Sequence, residues 1–280
     1  LHPVHVRNAA GLIFISLALE PPSFDEAFET ISRKMKPHGM ERAKVAHTID
    51  YLVKANWKLV FENNRECYHC TPNHPEYVLG TYDVARADPR KEEEVRRATE
   101  EANARFAAMG LDTGDVFSNM TGTYWRAHRT PLLPGWFTQS LDGQPVAPLM
   151  GRFRELGEWS KGTLRNTVFP NFWQHASDDH AVATRITPVA ADECRIDVWW
   201  LVHKDAVEGK DYSLEKLMPF WQRTSEQDWQ ICEDQQLGVA SSAYVPGPYG
   251  KTLEANVAHF VDWYLGELQP RRAPLKAVPA

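Results

Sequence analysis

The spacing of apolar residues changes several times along the chain, and each change predicts an element. Residues 1–20 read as extended, with the apolar, partly β-branched run GLIFISLAL (Gly11 to Leu19) suited to a buried strand. The turn-rich EPPSFD follows, where Ser23 or Asp25 can cap a short helix, DEAFETISRKM. Residues 44–62 mix strand-like and helix-like spacing. Over Ala55 to Tyr68, Trp57, Val60 and Phe61 fall at helical intervals, so a helix is expected to run into ENNRECYH and to stop or bend at Pro72 and Pro75. Residues 88–109 read as a charged, solvated surface helix, and 112–150 as loops with short strands. From about 163 to 203, TLRNTVF, FWQHAS, HAVATRITPV and CRIDVWWLVH alternate with turn signals, as in an antiparallel meander. A long helix over Ser213 to Ala240, with Pro219 in its early turns, and a closing helix LEANVAHFVDWYLGEL complete the pattern. The expectation is one α+β domain over residues 1–280, an antiparallel sheet with a long late helix.

Composition narrows the function classes. A net charge of −6 argues against a nucleic-acid binder. No apolar run reaches the roughly 20 residues of a membrane-spanning helix, so no membrane partner is expected. Four cysteines in 280 residues are not a disulfide framework. With no basic-then-apolar leader, the expected location is cytoplasmic. The chain opens on Leu1 with strands already under way, which suggests material upstream.

The chemistry concentrates in Glu62 to His74, ENNRECYHCTPNH. Cys67 and Cys70 form a CxxC, but structural zinc wants a second pair, and Cys194 and Cys232 stand alone. A Cys67–His69 nucleophile is judged by spatial geometry, not by adjacency. His69 and His74 can also be ordinary core histidines. The remaining reading is mononuclear iron, in which two imidazoles and a carboxylate leave coordination positions open. The carboxylate can come from a distant helix such as Ser225 to Trp229, where buried acids are costly unless paired or bound to metal.

NWKLVFENNRECYHCTPNH (56–74) resembles the iron-binding segment of the large subunits of Rieske non-haem iron oxygenases, and DWQICEDQQLG (228–238) resembles their late helix. The resemblance implies a helix-grip (START-like) sheet. It implies Fe(II) held by His69, His74 and Asp228, with Glu66 as the acid linking the iron histidine to a neighbouring subunit's Rieske cluster. Asn63 takes a supporting role. A complete subunit also carries an N-terminal [2Fe-2S] Rieske domain with CxH and CxxH pairs. Those ligands are not found in this chain, so it reads as the catalytic domain alone, not competent for turnover by itself. The family further implies a homotrimer and a separate flavin/iron-sulfur reductase that uses NAD(P)H.

Within that family, ECYHC and TPLLPGWFTQSLDGQPVAPLMG (130–151) look most like the glycine betaine demethylases. These hydroxylate an N-methyl group, giving the demethylated amine and formaldehyde. Trp173, Tyr124, Trp125, Trp199 and Trp200 are candidates for a cage around a quaternary ammonium. Arg126, Arg129 or Arg185 can meet a substrate carboxylate. Two other readings stay open: an aromatic-ring or aromatic-acid oxygenase with the same iron site, and a non-catalytic helix-grip module that binds a small ligand.

Overall fold

A computed structural model describes residues 3–86, 88–114, 116–117, 123–251 and 253–269. The expectations for Leu1, His2, Asp115 and residues 118–122 fall outside the described residues. Strands β1 (His5–Ala9) and β2 (Leu12–Ser16) form a separate hairpin. Strands β3 (Ala43–Val53), β4 (Val116–Phe117), β5 (Trp125–Pro131), β6 (Gly162–Val168), β7 (Phe172–Ala176), β8 (His180–Ala190) and β9 (Glu193–His203) form one antiparallel sheet in the order β3-β9-β8-β7-β6-β5-β4. The helices are α1 (Asp25–Met35), α2 (Trp57–Asn63), α3 (Cys70–Asn73), α4 (Pro75–Val78), α5 (Asp83–Arg86), α6 (Glu92–Ala108), α7 (Gly151–Leu156), α8 (Leu214–Leu217), α9 (Pro219–Val239) and α10 (Ala255–Leu268).

The meander matches the sequence reading strand for strand, because two-residue alternation there is coupled to burial on both faces. On β9, Cys194, Ile196, Val198, Trp200 and Val202 enter the main core with α2, α9 and α10. The opposite face of the sheet, through Trp125, Leu164, Val168 and Ala176, packs with Ile31 and Met35 of α1. Pro219 opens α9, where a missing N–H is tolerated, so the long helix is split at Met218 from the short α8.

Three expectations are corrected. GLIFISLAL is not a buried strand: Leu12 is covered, but Ile13 and Ile15 of β2 and Leu17 and Leu19 beyond it are exposed. A two-stranded hairpin lying on the rest of the protein can bury only one face. The helix expected across Ala55 to Tyr68 ends at Asn63, and a turn separates it from α3. Helix α6 is charged yet not merely a surface helix, since Val95, Ala102 and Phe106 are buried on one stripe.

Gly151 starts α7 with a positive φ of 46°, against the tight turn at Lys36–His38. A Cβ there would come within 2.6 Å of the Gly39 nitrogen. Backbone cannot retreat as a flexible side chain can. Gly151→Ala should therefore cost about 2–4 kcal/mol in urea unfolding, from strain plus overlap.

Candidate metal centre and its cavity

Helix α2 is capped by Asn56, whose side chain accepts from the Lys58 N–H, and ends at Asn63. The chain then turns through Glu66 into α3 and α4. His74 sits between these short helices at φ −121°, ψ 67°. Pro75 imposes this break, since the residue before a proline is pushed away from helical geometry. The third contributor, Asp228, comes from the middle of α9.

These three side chains converge. Asp228 Oδ1 lies 3.2 Å from His69 Nε2 and 3.0 Å from His74 Nε2. The outer ring nitrogens are also held. His69 Nδ1 is 2.6 Å from Glu66 Oε1, and His74 Nδ1 is 2.8 Å from Gln227 Oε1. Gln227 is oriented in turn by its amide nitrogen, 3.5 Å from Glu76 Oε2, and Arg223 holds Glu76. Asn63 Nδ2 donates to Asp228 Oδ1 at 2.7 Å.

Acceptors on both Nδ1 atoms fix each neutral imidazole as the Nδ1–H tautomer. Each Nε2 then presents a lone pair to a carboxylate oxygen about 3 Å away, which is repulsive unless a positive charge intervenes. A proton can supply it. Burial works against a charged His69, yet Asp228 and Glu66 outweigh burial and hold its pKa at about 9. Burial opposes charge on His74 too, and Asp228 again raises its pKa. Burial penalises the Asp228 carboxylate in turn, but its hydrogen bonds to the two histidines keep its pKa low. A metal is the other solution. Bonds of roughly 2.1 Å at right angles separate neighbouring donors by about 3 Å. The observed spacing fits, as does the presence of an oriented partner behind each imidazole.

Cys70 Sγ is also near, 3.9 Å from His69 Nε2. The sequence reading treated Cys67 and Cys70 as unpaired thiols. Their sulfurs are instead joined to each other across a Cα separation of 5.0 Å. A disulfide sulfur is no thiolate donor, so Asp228 is the third ligand candidate, and neither a zinc site nor a nucleophile can draw on Cys67 or Cys70.

The donors open onto a cavity of about 410 Å³. Sheet register builds its floor from two rungs of side chains on one face. The first runs Arg126–Thr167–Trp173 across β5, β6 and β7, and the second His128–Arg165–His175. The opposite wall carries Trp221, Thr224 and Asp228, which share one face of α9, together with Tyr77 from α4.

The proposed cage residues scatter. Trp173 and Arg126 line the cavity, whereas Arg129, opposite Leu164, points to the other face of the sheet, 3.0 Å from His38 Nε2. Trp200 lies on the extension of the second rung, two strands on, and is closed in the core. Trp199 points to the other face of β9, beneath Arg185, whose guanidinium pairs with Asp197. Trp125 faces the second core, and Tyr124 stacks on Phe169 at 3.9 Å. Lining residues missed from the sequence include Tyr77, His175, Trp221, Arg65 and Arg165. Trp221 was within reach, being seven residues before Asp228 and so on its helix face. Rung partners depend on strand register, which sequence spacing does not reveal.

Residues 40–269 match the family described as ring hydroxylating alpha subunit (catalytic domain). The chain belongs to this family. It is 40% identical to the glycine betaine monooxygenase oxygenase subunit of Pseudomonas aeruginosa, over 94% of this chain and 61% of that protein. It is equally similar, at 40%, to the subunit of the same description from Chromohalobacter salexigens, over 94% of this chain and 58% of that one. The chain thus spans about three fifths of the length of these relatives. A solved quaternary ammonium Rieske monooxygenase, described in terms of carnitine oxidation and inter-subunit electron transfer, superposes with a TM-score of 0.61 at 14% identity, covering 95% of this chain and 62% of that one. That likeness establishes the fold. Among the described residues, no helix is long and apolar enough to cross a membrane.

Two outcomes are expected. Gln227→Leu, which frees the His74 ring, should weaken divalent metal binding about 10- to 100-fold in a competitive chelator titration. The second concerns pH. The folded pKa of His69 lies above the unfolded value of about 6.5. Its contribution to the metal-free protein is therefore complete below about pH 6.5 and lost as pH rises through about 9. Thermal melts of metal-free protein should show Tm falling across that window, and saturating metal should remove the fall.

Proposed function

We propose that this chain is the catalytic domain of a terminal oxygenase that hydroxylates an N-methyl group of a quaternary ammonium substrate such as glycine betaine, with formaldehyde and the demethylated amine as products. One observation carries the reading: an Nε2, Nε2, carboxylate triad opens onto a cavity that presents Trp173, Trp221 and Tyr77. The identity to glycine betaine monooxygenase oxygenase subunits supports the choice of substrate.

Fe(II) at this triad, with dioxygen and electrons, supplies the oxidising power for attack on a C–H bond. The chain's own residues do the rest. Glu66 and Gln227 fix the two imidazoles, and Asn63 steadies the Asp228 oxygen by donating to it. Aromatic faces attract a methylated ammonium without hydrogen bonds, which such a cation cannot donate. His175 packs at 4.2 Å against Trp221, and burial keeps its pKa well below the ordinary histidine value, so it adds no opposing charge.

Glu66 contacts His69 while remaining partly accessible, which suits a path for electrons from a [2Fe-2S] Rieske cluster in a neighbouring subunit. On this reading the working enzyme is a homotrimer served by a flavin/iron-sulfur reductase drawing on cytoplasmic NAD(P)H.

Anaerobic reconstitution tests the centre first. About one iron per chain is expected, lost in both His69→Ala and Asp228→Ala. Tryptophan-fluorescence titration of the loaded protein should then show saturable quenching by glycine betaine and none by benzoate. Absence of iron, or quenching by benzoate alone, refutes the reading.

A further inference from the structure

Two arginines of the cavity beside the triad, Arg65 and Arg165, keep buried donors unmatched. Arg65, two residues beyond α2, lies over the Phe61 ring at 5.3 Å and donates from one terminal nitrogen to Thr167 Oγ1 at 2.8 Å. Its other terminal nitrogen is taken by Asn64. Its Nε is buried and has no partner. Arg165 of β6 donates to Asp83 Oδ2 at 2.7 Å, and its Nε is likewise buried and unmatched. Arg126 lies opposite Thr167 in the sheet, next to this pair.

Among the described residues, the acids lining the cavity are Glu66, Asp83 and Asp228. Each acid is already engaged: Glu66 by His69, Asp228 by both imidazoles, and Asp83 by Arg165 and the Tyr77 hydroxyl. Burial, reinforced by Arg126, lowers the Arg65 pKa to about 9. Burial and the surrounding arginines likewise drive His128 well below its ordinary value. Arg65 thus has no carboxylate partner among the described residues, whereas Arg165 is paired with Asp83.

We propose that Arg65 and Arg165 form an anion subsite that takes the substrate's carboxylate, leaving its methylated nitrogen to the aromatic residues Trp173, Trp221 and Tyr77. The inference rests on the quaternary-ammonium reading and narrows it to zwitterionic betaines. A guanidinium presents a planar fork of donors that a carboxylate matches and a hydroxyl does not. A substrate with the same cation but an alcohol in place of the carboxylate gains nothing at this end and meets like charge.

Equilibrium titration of the iron-loaded chain, under nitrogen, with glycine betaine, choline and benzoate tests this. Glycine betaine should bind at least about tenfold tighter than choline, and Arg65→Gln should weaken it about 10- to 100-fold while leaving choline no weaker. Arg65→Lys should recover part of the loss, and thermal melts report whether each variant is folded. Equal binding of betaine and choline by the unaltered chain overturns the subsite and leaves the quaternary-ammonium reading standing; that comparison needs no variant. Binding of benzoate but not betaine, weakened by Arg65→Gln, supports the subsite and defeats the quaternary-ammonium reading. Failure of every carboxylate to bind, or a folded Arg65→Gln that binds all three unchanged, overturns the subsite.

Discussion

A single carboxylate oxygen, Asp228 Oδ1, faces two imidazole nitrogens whose far sides are already committed to acceptors. This arrangement is stable only with positive charge at its centre. The surrounding structure follows from it: Pro75 takes His74 out of helical geometry, Gln227 and Glu66 pin the rings, and Asn63 holds the acid. Removing any one of these contacts leaves a buried polar group unmatched, and such defects cost more than the contact itself gains.

The cavity beside the centre divides its labour by distance from the sheet's middle. Farther in, the first rung carries Trp173 on β7 and the second, beyond His175, carries Val182 on β8 and Trp200 on β9, which merge with the core. The outer part, toward β5, carries arginine and histidine on the same face. A sheet rung thus grades from apolar to cationic within three strands. A zwitterion with an apolar-coated cation at one end and a carboxylate at the other matches such a gradient, because each end meets the environment that least penalises its charge.

Much was legible in the sequence because certain signals are local. The meander between 163 and 203 emerged from alternation and turn residues, since period two is a property of neighbouring residues in one strand. The pairing of His69 and His74 around Pro72 and Pro75, and an acid on a helix rich in aromatics, marked the centre. By contrast, the pocket wall was poorly legible. Trp199 and Trp200 are adjacent in sequence but lie on opposite faces, and neither reaches the cavity. Arg65 was not singled out from the sequence, because nothing local reveals that Phe61 and Thr167 hold it inside.

The sequence by itself determined most element types, the candidate donor groups and the family to which they point, because each depends on residue chemistry and short-range spacing. Only the tertiary structure decided which residues share the site. Asp228 lies 154 positions from His74 yet touches it, and Arg126, Thr167 and Trp173 form one rung. Such meetings depend on strand register and on how α9 crosses the sheet. Those are settled by burial of the whole core at once, not by any segment alone.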